Sequence, residues 1–260
     1  MTIFLILQSV GDWNVKYPYD SFPAFERAYS NEADTVKGDF RVCKENVGMI
    51  MHSSPIEWYE SVPCWKKKVE EMTVAECESC RMAASPYNFT SSPEVLAWSG
   101  EKVNFMFCVK ESSDIPRAID SMIEYNSTHR AFLELSLGNL LTTYNNKVKN
   151  WDQVYYIVEL GTTADVHTLL SMPEDLRTRA FLYEFNNWST WATPLADDLD
   201  AVRAAGYRSV AATRANPFTA TVKNHLDIFN AGFDVAYSYN LTNAVTARKI
   251  INTERGNFPA

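Results

Sequence analysis

The sequence contains no apolar run near the ~18 residues that a membrane-spanning helix requires. Its opening apolar stretch, Thr2–Leu7, is short and has no basic region before it, so it reads as a first strand and not as a signal peptide. Positive charge is also in deficit. Against 32 Asp and Glu stand 24 Lys and Arg, giving a net charge of -8 and a pI near 5.1. That balance speaks against a nucleic-acid partner and against an anionic membrane surface. Histidine is scarce: His52, His129, His167 and His225 lie far apart. The pair Cys77-x-x-Cys80 has no second pair of that spacing, so zinc is not expected. A Gly-x-Gly-x-x-Gly turn is missing too, which removes the main support for an open dinucleotide-binding sheet. No tandem repeat stands out.

What is present is a strand–helix rhythm. The 260 residues, 46% of them hydrophobic, suit one α/β barrel. Alternation predicts strands at 103–109, 131–136, 154–160, 180–185, 209–213 and 234–239. Helices are predicted at 113–125, 139–146, 162–171, 193–205, 219–230 and 241–251. Ser113, Asn139, Thr162 and Thr193 are the candidate caps, and Gly206 and Gly232 fall past helix ends. Earlier in the chain, strand Thr2–Leu7 leads to a helix opening near Phe22, capped by Asp20 or Ser21. Strand Thr35–Val42 then turns at Lys44-Glu45-Asn46 into the run Val47–His52. Eight strand–helix pairs favour a closed parallel (β/α)8 TIM barrel over residues 1–260. Residues 53–100 hold four prolines, the run Lys66-Lys67-Lys68 and most of the cysteines, and are expected as an excursion outside the barrel.

Three cysteines within 64–80, with Cys43 nearby, fit one or two disulfides in that excursion and leave Cys108 over. Four Asn-x-Ser/Thr sequons, at Asn88, Asn126, Asn187 and Asn240, point the same way, to a secreted extracellular glycoprotein. A reduced cytoplasmic protein is the alternative.

Chemistry in such barrels gathers at the C-terminal strand ends. The residues expected there are Gln8, Lys37, Asp39, His52, Cys108, Lys110, Glu134, Glu159, Glu184, Asn186, Arg214 and Tyr237. Trp188 and Trp191, in the loop after the 180–185 strand, are candidate pocket aromatics.

The stretch 32–53 resembles the glycerophosphodiester phosphodiesterase family, of the PLC-like phosphodiesterase type. That family's frame of Gly-Ala-Asp, Glu-x-Asp, Lys-Asp-Gly and His-Asp reads here as Glu32-Ala33-Asp34, Lys37-Gly38-Asp39, Lys44-Glu45-Asn46 and His52-Ser53. Tyr19-Asp20-Ser21 stands for Glu-Asn-Thr, Met72-Thr73-Val74-Ala75-Glu76 for Leu-Thr-Leu-x-Glu, and Cys108-Val109-Lys110 for Glu-x-Lys. The resemblance implies a barrel in which two histidines move protons and three acidic residues hold a divalent cation. Asp39, His52 and Lys110 keep their positions; Gln8, Lys37 and Cys108 replace one histidine and two metal ligands.

A Lys37–Asp39 ion pair would satisfy both side chains without metal. One carboxylate and one thiol make a poor site for Mg²⁺ or Ca²⁺. The expectation is therefore a phosphodiesterase-like barrel that has lost metal-dependent hydrolysis and needs no cofactor. It would bind a small-molecule, phosphorylated or lipid ligand at its mouth, with Lys37, Lys110, Arg214 and His52 available to an anion. One alternative is an active phosphoric diester hydrolase of altered site, acting on glycerophosphodiesters or lysophospholipids. It would use Mg²⁺ or Ca²⁺, or a pair such as His52 with Glu134 or Glu159. The other alternative is a secreted structural or interaction glycoprotein.

Overall fold

The structure is a computed structural model and describes residues 5–8, 11–14, 16–185, 188–191, 195–213 and 220–255. Its strands in chain order are β1 (Leu5–Gln8), β2 (Thr35–Val42), β3 (Gly48–Ile50), β4 (Thr90–Ser91), β5 (Asn104–Val109), β6 (Ala131–Ser136), β7 (Tyr155–Leu160), β8 (Ala180–Phe185), β9 (Arg208–Ala212) and β10 (Val235–Ser238). Eight of them pair in parallel around a ring, from β1 through β2, β5, β6, β7, β8 and β9 to β10. The ring closes where Leu5–Gln8 run beside Val235–Ser238. This is the (β/α)8 barrel expected from the alternation.

The helices are α1 (Phe22–Ser30), α2 (Val74–Ser79), α3 (Ser92–Ser99), α4 (Ile115–Glu124), α5 (Leu137–Asn145), α6 (Thr163–Leu170), α7 (Glu174–Arg177), α8 (Leu195–Ala204), α9 (Val222–Asn230) and α10 (Leu241–Glu254). Side-chain caps set many of their starts. Ser21 caps α1, Thr162 caps α6, and Thr73 with Glu76 closes a capping box on α2. Two expected caps are displaced. Ser113 lies in a 3-10 turn ahead of α4, and Asn139 is the residue whose N–H is bound, by Ser136 at the end of β6. Thr193 and Arg214 lie outside the described residues. Gly206 and Gly232 take positive φ past their helices, as expected.

Strand parity divides the core into layers. Leu7, Met106, Ile157, Leu182, Val210 and Val235 pack inside the barrel. The alternate residues, such as Val36, Phe40, Phe105, Phe107, Leu133 and Val158, face the helices in the main core.

The second strand outlasts the barrel. Its last residues, Phe40 to Val42, pair antiparallel with β3, which in turn pairs with β4. Gly48 is forced by close approach, because a Cβ there would sit 2.3 Å from the Phe40 ring and 2.4 Å from Ser92 Oγ. Beneath this hairpin a separate apolar cluster gathers Cys43, Met49, Met51, Ile56, Cys64, Val69, Met72, Cys77, Cys80, Met82 and Phe89.

Cys80 bonds to Cys64 and not to its sequence neighbour Cys77, while Cys43, Cys77 and Cys108 are free thiols. A turn of helix keeps Cys77 and Cys80 on one backbone but aims Cys80 across the cluster. The bond closes a loop of 16 residues, worth about 3 kcal/mol by chain entropy. Denatured, unreduced protein should therefore bind three equivalents of a thiol reagent, and Cys64→Ala/Cys80→Ala should lose about 3 kcal/mol of unfolding free energy in urea. Five reactive thiols in the unreduced protein would contradict this pairing.

Candidate functional site

Above the apolar filling, the inward residues of five strands turn polar. The strand register explains how they meet: Asp39 is level with Cys108, and Cys108 with Glu134. Further round the ring Glu159 is level with Glu184. Lys37 enters one pleat below Asp39 on the same face. Its ammonium lies 3.3 Å from Asp39 Oδ1, 3.6 Å from Glu134 Oε2, and 5.7 Å from the centre of the Tyr237 ring. Lys110, just past β5, places its Nζ 2.7 Å from the same Asp39 oxygen and donates to Cys108 Sγ at 3.3 Å.

The electrostatics follow from burial and from these pairs. Burial opposes the charge of Lys37, but its acidic neighbours, Glu134 before Asp39, outweigh it and hold its pKa well above the usual lysine range. Burial likewise works against the Asp39 carboxylate. Lys37 and Lys110 overcome it and keep Asp39 ionised far below the ordinary range. The remaining acids go the other way. Burial, then the neighbouring Glu134, pushes Glu184 well up, and the same two causes raise Glu159. Burial, then Glu134, also raises the Cys108 thiol, so it stays protonated.

A cavity of about 390 Å³ opens over this layer, lined by Tyr19, Lys37, Asp39, His52, Tyr59, Lys110 and Tyr239. His52 lies beyond β3 with Nδ1 3.0 Å from Ser53 Oγ and 4.0 Å from Glu60 Oε1, and its ring meets Tyr19 edge-on. Burial lowers its pKa, so near neutral pH the imidazole is uncharged.

The structure thus brings Lys37, Asp39, His52, Cys108, Lys110, Glu134 and Glu159 to one end of the barrel. Gln8 is apart from them. It shares the outward face of β1 with Ile6, is fully buried, and donates from Nε2 to the Gly11 carbonyl at 3.1 Å. Trp188 and Trp191 are not mouth aromatics either. Both are partly buried against the main core, and their ring nitrogens donate to the Ala212 carbonyl and to Asp198. Asn186 and Arg214 fall outside the described residues.

Sequence reasoning missed Tyr19, Tyr59, Glu60 and Tyr239, and took Asp20 only as a cap. Tyr239 stands one residue past β10, a position that strand-end logic reaches. Tyr59 and Glu60 sit in the excursion, where no periodic signal points inward. Asp20, at a positive φ of 55°, turns its carboxyl beneath the site and accepts from the Asp39 N–H at 3.0 Å. Burial, then the Asp39 charge, raises its pKa well above the usual carboxyl range.

The donor set does not fit a divalent ion. Among the described residues no three His, Cys, Asp or Glu side chains converge as ligands. Asp39 offers one carboxylate, Cys108 offers a protonated thiol, and the Lys37 ammonium stands 3.3 Å from that carboxylate. Mg²⁺ and Ca²⁺ require several oxygen ligands and no cation in contact.

No family model matches the chain. No curated protein matches it in sequence. Solved structures do match in fold. A glycerophosphoryl diester phosphodiesterase from Parabacteroides distasonis superposes with a TM-score of 0.77 at 16% identity, over 96% of this chain and 87% of that one. A glycerophosphodiester phosphodiesterase from Agrobacterium tumefaciens gives 0.74 at 14%, over 96% and 100%. A phosphodiesterase from Oleispira antarctica, solved with its product sn-glycerol-3-phosphate, gives 0.71 at 13%, over 94% and 96%. The resemblance read from the sequence therefore holds at the level of the fold.

Two outcomes test this layer of charges. Lys37→Met leaves buried Glu134 without its ammonium and Asp39 with Lys110 alone, and should cost about 3–5 kcal/mol of stability, measured by urea unfolding at neutral pH. Asp20 has a folded pKa above its unfolded value of about 3.9. Its contribution is complete below that value and is lost as pH rises through the folded pKa. Asp20→Asn should therefore raise Tm more at pH 8 than at pH 4. A gain larger at pH 4 would mean that Asp20 is ionised in the fold.

Proposed function

We propose that this chain is a phosphodiesterase-like barrel without metal-dependent phosphodiester hydrolysis, and that its mouth binds a small phosphorylated or lipid-derived ligand. The observation that carries the reading is the Lys37 ammonium, 3.3 Å from Asp39 and 3.6 Å from Glu134. It supplies from a side chain the positive charge that a metal would bring. It cannot supply open coordination positions or a metal-activated water. The first-strand position that the family resemblance gives to a proton-transferring histidine holds Gln8, which does not titrate near neutral pH. An anion entering the mouth meets the Lys110 ammonium first, because its side chain keeps 22% exposure where that of Lys37 keeps 10%. Tyr19, Tyr59 and Tyr239 offer hydroxyls and ring faces to the rest of the ligand.

Glycerophosphocholine and lysophospholipids should show no turnover with Mg²⁺, Ca²⁺ or EDTA. sn-Glycerol 3-phosphate at a hundredfold excess over its Kd should stabilise the protein by about 2.7 kcal/mol, and Lys110→Met should abolish that gain. Metal-dependent turnover, lost in His52→Ala, would overturn the reading. Turnover indifferent to EDTA would instead favour a metal-free hydrolase built on Glu184 with Glu134.

The same proposal puts the chain in an oxidising, extracellular compartment. The Cys64–Cys80 disulfide supports this, as do two sequon asparagines, Asn88 and Asn126, on the exposed surface. Asn240 is a different case, since its side chain caps α10 through the Asn243 N–H. Secreted protein should carry glycans at Asn88 and Asn126 and none at Asn240, read as site-specific mass shifts on enzymatic deglycosylation.

A further inference from the structure

The excursion holds out a second feature beside the mouth. Residues 57–66 form a closed loop whose neck is tied by two backbone hydrogen bonds of 2.8 Å, Ile56 N–H to Lys67 O and Lys66 N–H to Ile56 O. The loop is pinned inward at Glu60, Ser61 and Cys64. Glu60, only 4% exposed, accepts from the Ser53 and Glu57 N–H groups. Ser61 Oγ donates to the Arg81 carbonyl, the Ala83 N–H donates to the Glu60 carbonyl, and Cys64 is bonded to Cys80.

A loop so fastened has no need to display large apolar groups. It nevertheless presents Trp58 at 62% exposure, Val62 at 68% and Trp65 at 49%. They are most of the exposed large hydrophobics among the described residues when Tyr59 is counted with them, and Tyr59 also lines the mouth. Large apolar side chains exposed together on one loop mark an interaction surface.

We propose that the 57–66 loop docks the barrel mouth onto a zwitterionic phospholipid surface. Tryptophan and tyrosine settle at the headgroup level of a bilayer because their rings are apolar at one end and polar at the other. The flanking charges fit the phosphates of that layer. Lys66 lies with its ammonium 4.4 Å from the centre of the Trp65 ring, and Lys67 is exposed beside it. Both long side chains can lay their stems along the apolar patch and keep their ammonium groups at phosphate depth. Lys68 is engaged by Glu71 at 3.0 Å, and Glu57 and Glu70 are exposed close by. With a chain charge of -8, these acids oppose a strongly anionic membrane and favour zwitterionic lipid. Tyr59 belongs to both the loop and the cavity rim, so docking turns the mouth toward the lipid. This inference stands on the loop alone and holds whether or not the mouth binds a phosphorylated ligand.

The test is co-sedimentation of the full, unreduced chain with phosphatidylcholine vesicles, alongside Trp58→Ser/Trp65→Ser. Both rings are exposed, so the variant should melt with the wild type. Expected are vesicle binding with a blue-shifted tryptophan emission in the wild type and a drop of at least about tenfold in the partition coefficient of the variant. Trp58→Ser alone should fall between them. Three results would overturn the proposal. One is no binding to phosphatidylcholine, including binding confined to anionic vesicles. Another is undiminished binding by the double variant. The third is a self-association that the double variant abolishes without any vesicle binding, which would give the patch to a second copy of the chain.

Discussion

The polar end of this barrel depends on one buried ammonium. Lys37 could not remain charged there alone, because removing an ion from water costs several kcal/mol even after relaxation. Asp39 and Glu134 make the charge tolerable, and Lys37 in turn keeps Asp39 ionised. The pairing accounts for the neighbours as well. Lys110 reaches the same Asp39 oxygen, so two cations share one carboxylate, and the acids further round the ring answer with one another. Burial and an adjacent carboxyl raise Glu184 and Asp20 alike well above the usual carboxyl range.

On the proposed reading, that balance separates the site from metal-dependent phosphodiester hydrolysis. A divalent ion would need the Lys37 position cleared and the Cys108 thiol deprotonated, and both pKa directions oppose this. The fold is common ground with the phosphodiesterases of Parabacteroides and Agrobacterium. The reaction is not thereby common, because function belongs to the side chains set on the fold. What the layer keeps is a cation with partial solvent access, a neutral imidazole and tyrosine rings around a cavity. On the proposed reading, those recognise an anion.

The excursion has a different logic from the barrel. Its apolar cluster is small and is reinforced by a disulfide and by buried polar anchors such as Glu60. Those anchors also set the rim, since Glu60 stands near His52 while Tyr59 lines the cavity. One segment therefore shapes the entrance and carries the exposed tryptophans beside it.

Much of this was legible in the chain. Short apolar runs alternating with helical segments announced the eight barrel strands, because a buried parallel strand needs an apolar run wherever it lies. Caps at Ser21 and Thr162 were readable because a cap acts within four residues. Strand parity put Lys37 and Asp39 on one face, and the cost of a buried unpaired lysine pointed to their pairing. Other features needed the third dimension. Cys80 chose Cys64 over nearby Cys77, and Gln8 turned to Gly11 and away from the mouth. Asp20 went beneath Asp39, and Trp188 and Trp191 folded onto the core while Trp58 and Trp65 stayed out. The sequence by itself determined the periodicity and the local hydrogen bonds, which act over a few residues. Only the tertiary structure decided which distant groups share a proton, a bond or a cavity, because those energies depend on separations that the closed barrel sets.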